Sequence, residues 1–166
     1  MKLDLPPPRD WQGADLVPPV PVTAGQSYYL VYEIVVQALV SASTLGTPRR
    51  VAHGLDSSRL ALLLAVLERH AGLGFSDRDV FVNLVGGLSL REPALDLAVA
   101  AALLSSAADL PLSPELAVFG EIGLLGEVRA VSRAAERVRE AAALGFGRVA
   151  VPSRDANSTL DLPATP

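Results

Sequence analysis

The sequence predicts one α/β (α+β) domain, and three observations carry that reading. Half of the 166 residues are hydrophobic and only 19% are charged, which supports a sizeable core and argues against extended disorder. Between residues 28 and 151, β-branched or aromatic runs alternate with runs of helical period. Glycine or proline stands where one period gives way to the next.

The first 27 residues hold six prolines (Pro6, Pro7, Pro8, Pro18, Pro19 and Pro21) and no helical period, so 1–27 is expected to be an extended arm or linker. Residues 28–155 form the expected domain. Tyr28 to Val40 is β-branched and aromatic and predicts one strand or a kinked pair. Residues 41–54, punctuated by Gly46, Pro48 and Gly54, predict a loop. Asp56 suits an N-cap, Leu60, Leu63, Leu64 and Leu67 recur at helical spacing, and Gly72 suits the residue after the last turn. Asp79 to Val85 predicts a strand ended by Gly86 and Gly87.

Pro93 fits the first turn of a nearly uncharged helix ending near Ala108, with Leu97, Ala100, Ala101 and Leu104 on its apolar face. Gly120, Gly123 and Gly126, set among strand formers, predict a hairpin with tight turns over 117–129. Ser132 is placed to cap a helix running to Leu144, with Gly145 and Phe146 supplying a Schellman ending. Arg148 to Val151 predicts a strand stopped by Pro152, and 156–166 is expected to be a flexible tail.

Composition narrows the chemistry. There is no cysteine, which removes disulfides, thiolate zinc sites and cysteine nucleophiles. His53 and His70 are the only histidines, so no metal site is expected. Lys2 is the only lysine beside thirteen arginines, and no Gly-x-x-x-x-Gly-Lys-Ser/Thr loop occurs. The glycines at 120, 123 and 126 precede no helix directly and do not match a dinucleotide fingerprint. No run approaches the length of a membrane span and no signal peptide opens the chain, so a soluble cytoplasmic protein is expected. The net charge of −4 belongs mostly to the ends, because residues 41–155 carry twelve arginines against thirteen acids.

Longer motifs say more. Asp-Val-Phe-Val-Asn-Leu-Val-Gly-Gly at 79–87, Arg-Glu-Pro-Ala-Leu-Asp-Leu-Ala-Val-Ala at 91–100, Phe-Gly-Glu-Ile-Gly-Leu-Leu-Gly-Glu-Val-Arg at 119–129 and Leu-Gly-Phe-Gly-Arg-Val-Ala-Val-Pro at 144–152 resemble the proteolytic domain of Lon. Together with Gly-Thr-Pro-Arg-Arg-Val-Ala at 46–52, they resemble more closely the Lon-like C-terminal domain of the RadA (Sms) family of bacterial DNA-repair proteins. The resemblance covers 37–152 and implies a Lon-type fold, a mixed sheet with packed helices. Lon peptidases pair a serine nucleophile with a lysine base. The matching positions here are Ala94 and Ala135, and a methyl group can neither attack a carbonyl nor take up a proton. The resemblance therefore implies a catalytically inactive pseudo-peptidase that serves as an oligomeric scaffold, a hexameric ring, and contacts single-stranded or branched DNA in recombination and repair beside a recombinase partner. The family's zinc-binding and ATPase segments have no counterpart here, so no cofactor is expected.

The arginines give this role its candidate contacts, since guanidinium groups suit phosphate. Arg49, Arg50, Arg78 and Arg148 stand in expected loops or at strand starts and are the chosen DNA-binding residues. The 129–148 region adds a local charge of +3. Two alternatives stand beside this reading: an active Lon-type peptidase with a displaced dyad, and a protein-interaction module docking through the strand at 28–40.

Overall fold

The computed structural model describes residues 34–44, 46–85 and 91–154, all within the unit Val31–Pro166. The arm at 1–27, the start of the first expected strand, Gly86–Gly87 and the tail at 156–166 lie outside the described residues. The α/β class is as expected. A three-stranded mixed sheet in the order β1-β3-β2 is built from β1 (Val36–Ala42), β2 (Arg50–His53) and β3 (Arg78–Leu84). β3 is central, antiparallel to β1 (Leu39 opposite Phe81) and parallel to β2 (Val51 opposite Phe81).

β2 corrects the loop expected over 41–54. Its four residues carry only Val51 as a strand former, and the segment is too short for a period to register. The partner that makes it a strand comes from 30 residues later in the chain (Arg50 opposite Val80).

Helix α1 (Ser57–Ala71) begins and ends as its sequence implies. The Asp56 carboxylate accepts from Ser58 N at 2.9 Å and Arg59 N at 3.2 Å, and Gly72 closes the helix in the left-handed region at φ 69°. After it, the Glu68 carboxylate accepts from Phe75 N at 2.6 Å, which anchors the turn into β3. A 3-10 turn (Pro93–Leu95) leads into α2 (Asp96–Ala108). α2 buries Val99, Ala100 and Leu103, while the expected Leu97, Ala101 and Leu104 are half-buried. Leu60, Leu63, Leu64, Val66 and Leu67 of α1 pack with these residues, Phe75 and Ile122 over one face of the sheet, against Val80 and Val82. β1 is an edge strand, and Ser106 Oγ of α2 accepts from its Val40 N–H at 2.9 Å.

The hairpin region divides. β4 (Leu116–Val118) runs parallel to β7 (Arg148–Ala150), and only β5 (Glu121–Ile122) and β6 (Val128–Arg129) form the antiparallel hairpin. α3 (Ala134–Ala143) ends in the expected Schellman geometry, with Phe146 N donating to Ala141 O and Gly145 N to Ala142 O. Its start differs. Arg133 takes the cap position in the left-handed region without a side-chain cap bond, so Ser132 is not the N-cap. Ala94, Phe119 and Ala134 form a second small core with Val131, Val138, Val149 and Val151.

Candidate nucleic-acid interface

Side chains alternate across a strand, so β3 writes two different faces into one sequence. Val80, Val82 and Leu84 are buried, the first two beneath the helices, while Asp79, Phe81 and Asn83 point the other way. The register carries this second face across the sheet. Leu39 and Val51 flank Phe81, and Gln37 and His53 flank Asn83. None of these belongs to the core cluster, and Leu39 is 57% exposed. The Gln37 and Asn83 amides share a hydrogen bond of 3.1 Å. Sequence inspection did not single out Asp79 or Phe81, although Asp-x-Phe-x-Asn interleaved with Val-x-Val-x-Leu was the signal for a second face.

The arginines divide between the two faces. Arg49 lies on the open one. Its Nε donates to Asp79 Oδ2 at 2.9 Å, its Nη2 to the same oxygen at 2.5 Å, and its backbone N to Oδ1 at 2.8 Å. The guanidinium carbon sits 5.3 Å from the centroid of the Phe81 ring. The Asp79 side chain is 2% exposed and that of Arg49 55%. Hydrogen bonds from the Arg49 side chain and its backbone N–H, with help from Ser43, hold the Asp79 carboxyl down at about 2, against the opposing effect of burial. Asp79 is therefore ionised at neutral pH and clamps Arg49 in one orientation.

Arg50 and Arg78 take the helix side. Arg50 donates to the carbonyls of Arg49, Arg78 and Phe75, and Arg78 donates to Ala107 O in the last turn of α2 at 3.2 Å. Both close off carbonyls at the ends of elements. Arg49, Arg50 and Arg78 thus meet at one end of the three-stranded sheet. Arg148 is exposed on β7, in the separate two-stranded sheet, and does not join them.

The dyad positions lie elsewhere. Ala94 is 2% exposed and its carbonyl accepts from Gly120 N at 2.9 Å, so it packs the junction of α2 with the β5 region. Ala135 is half-buried in the first turn of α3. Asp96, two residues after Ala94, escaped sequence inspection. It is a buried carboxylate that accepts from Arg59 Nε at 2.8 Å, from Arg59 Nη2 and from Ile122 N at 3.0 Å. It ties α1, α2 and β5 together. Ser106 Oγ is engaged by Val40, and Ser105 Oγ donates to Leu110 O at 2.5 Å. His53 is exposed on the open face, and His70 packs against Gly126 of the β5–β6 turn. Among the described residues no three His, Cys, Asp or Glu side chains converge as a metal site would require, and no helix is long and apolar enough to cross a membrane.

Comparison with known proteins places this architecture. The chain is 51% identical over 138 residues to the DNA repair protein RadA of Salmonella typhimurium and to that of Escherichia coli, covering 80% of this chain and 30% of each relative. It is 56% identical over 117 residues to the DNA repair protein RadA of Pseudomonas aeruginosa, covering 70% of this chain and 26% of that relative. The chain thus spans less than a third of the length of the curated relatives it matches. A family model described as subunit ChlI of Mg-chelatase matches residues 36–155.

These matches correct the peptidase assignment. The family matched is described as a subunit of a chelatase and the relatives are named for DNA repair, and none of them is a Lon peptidase. The pseudo-peptidase reading outside enzyme chemistry, with Ala94 and Ala135 as dyad remnants, is withdrawn together with the active Lon-type alternative. In the structure Ala94 is a packing residue at an element junction. By the match over 36–155, the chain belongs to the family of subunit ChlI of Mg-chelatase.

Proposed function

We propose that this chain is a DNA-binding module of a repair and recombination protein. The observation that carries the reading is its identity, at 51% over 138 residues, with relatives named DNA repair protein RadA. The open sheet face supports it. At one end of the sheet Arg49 is 55% exposed on that face, and Arg50 and Arg78 are bonded to carbonyls beside it. Titration of the chain with labelled DNA at two salt concentrations tests it. Phosphate contacts lose affinity steeply between about 50 and 200 mM salt. Absence of binding at the lower concentration refutes the proposal.

A second reading, that copies of the chain assemble into an oligomer such as a hexameric ring, is favoured by the β5–β6 turn. Leu124 and Leu125 at its tip are 69% and 81% exposed, more than any other large apolar side chain among the described residues. Light scattering of the chain beside Leu125→Asp checks this. An oligomer that the substitution dissociates supports the tip as a contact, and a monomer at high concentration in both refutes it.

A further inference from the structure

We propose that the open face of the β1-β3-β2 sheet binds single-stranded nucleic acid by stacking an unpaired base on the Arg49 guanidinium. This rests on the DNA-binding reading and assigns that reading a place on the sheet and a mode of contact.

Arg49 is poorly suited to act as a phosphate clamp. Two of its side-chain nitrogens bond to Asp79, whose charge cancels its own at contact range. The same clamp suits stacking. The guanidinium carbon lies 5.3 Å from the Phe81 ring centroid, and the Arg49 side chain is 55% exposed, so a ligand on this face can reach it. A guanidinium plane fixed between a carboxylate and an aromatic ring is a platform on which a flat base extends the stack at little ordering cost.

The surroundings offer a base both an apolar floor and polar edges. The apolar floor directly beside Phe81 consists of Leu39 and Val51, and Val35 and Val85 are exposed beyond the polar row that follows. The next row is polar, with the Gln37 and Asn83 amides and His53 exposed at the level where base edges would lie. Arg50 and Arg78 add positive charge at the same end of the sheet, which complements a polyanionic backbone. A duplex keeps its base faces stacked internally, so this face selects single strands.

The test measures binding of a short labelled oligothymidine, an abasic strand of equal length and a duplex to the full chain and to Phe81→Leu, Arg49→Lys and Leu39→Asp. Arg49→Lys keeps the charge and removes the plane. Leu39→Asp alters an exposed residue outside the core cluster, so it reports on the face even where the other two substitutions impair folding. The expected result is a loss of roughly 5- to 100-fold for oligothymidine in each variant. The salt dependence of Phe81→Leu stays that of the parent, and the parent binds the abasic strand and the duplex more weakly than oligothymidine. Equal parent affinity for the abasic strand and oligothymidine, or unchanged oligothymidine affinity in the variants, overturns stacking and leaves DNA binding intact. No parent binding to any of the three nucleic acids refutes the DNA reading itself. A dimer that Leu39→Asp alone dissociates would assign the face to a second copy and overturn the proposal.

Discussion

Removal of Arg59 should cost far more than neutralisation of Asp96, although the two form one ion pair. The asymmetry follows from burial. The Asp96 side chain is 2% exposed and that of Arg59 30%. In Arg59→Ala the carboxylate stays where it is, losing two of its three donors and keeping only Ile122 N. Stranding one partner of a buried pair costs about 3–5 kcal/mol, and the partial access of water at Arg59 places the loss near the lower end, about 3 kcal/mol. In Asp96→Asn the amide oxygen still accepts from Ile122 N, while the remaining guanidinium reaches solvent and keeps Ile122 O as an acceptor at 3.2 Å. That loss is about 1–2 kcal/mol, made up of the weakened charged hydrogen bonds and the lost favourable charge at the α2 N-terminus. Denaturant unfolding of the two variants beside the parent measures the difference, and thermal melting should show a drop of about 12 °C for Arg59→Ala at about 4 °C per kcal/mol. Equal losses in the two variants, or less than about 1 kcal/mol for Arg59→Ala as for an exposed pair, would show that Asp96 is solvated when its partner goes and would refute the argument.

Asp79 gives a pH limb. Its folded pKa of about 2 lies below the ordinary 3.8, so its contribution is fully present above that ordinary value and fades as pH falls toward about 2. Denaturation midpoints across this window should fall less steeply for Asp79→Asn than for the parent, and equal slopes would contradict the assignment. Gly72→Ala meets no atom within 4 Å but must hold φ at +69°, so calorimetry should show destabilisation of about 1 kcal/mol from backbone strain alone. A Cβ at Gly123 would lie 2.3 Å from Glu127 Oε1. Gly123→Ala should therefore swing Glu127 away from Leu125 N and Arg129, seen as faster amide exchange at Leu125 with little change in global stability.

The sequence was legible wherever a local signal decided the structure. Asp56, the leucine period and Gly72 bound α1 without help from the rest of the chain, and Gly145 and Phe146 end α3 by bonds confined to its last turn. It was illegible where distant partners decide. β2 exists because β3 pairs with it. The buried face of α2 could not be chosen from a helix apolar nearly all round, because Arg59 and Ile122, remote in sequence, fix its rotation through Asp96. The cap of α3 passed to Arg133, and the carbonyl of Ser132 instead accepts from Arg137 Nε at 3.1 Å.

The same distinction changes what an arginine near a candidate site means. Arg49 and Arg50 are neighbours in sequence and were equivalent as phosphate ligands, yet strand alternation sends them to opposite faces. Arg50 and Arg78 spend donors on carbonyls, which removes them as fitted phosphate clamps without removing their charge. On the proposed reading, a charge fixed in this way still contributes to the field that draws in a polyanion, while contact falls to Arg49. If stacking supplies the contact and these fixed charges the attraction, the association rate with single strands should fall as salt rises, while the dissociation rate changes little with salt and rises in Phe81→Leu. Stopped-flow measurement separates the two rates. A dissociation rate that climbs with salt as steeply as the association rate falls would return the contact to phosphate and remove the reason for Phe81 to lie beneath Arg49.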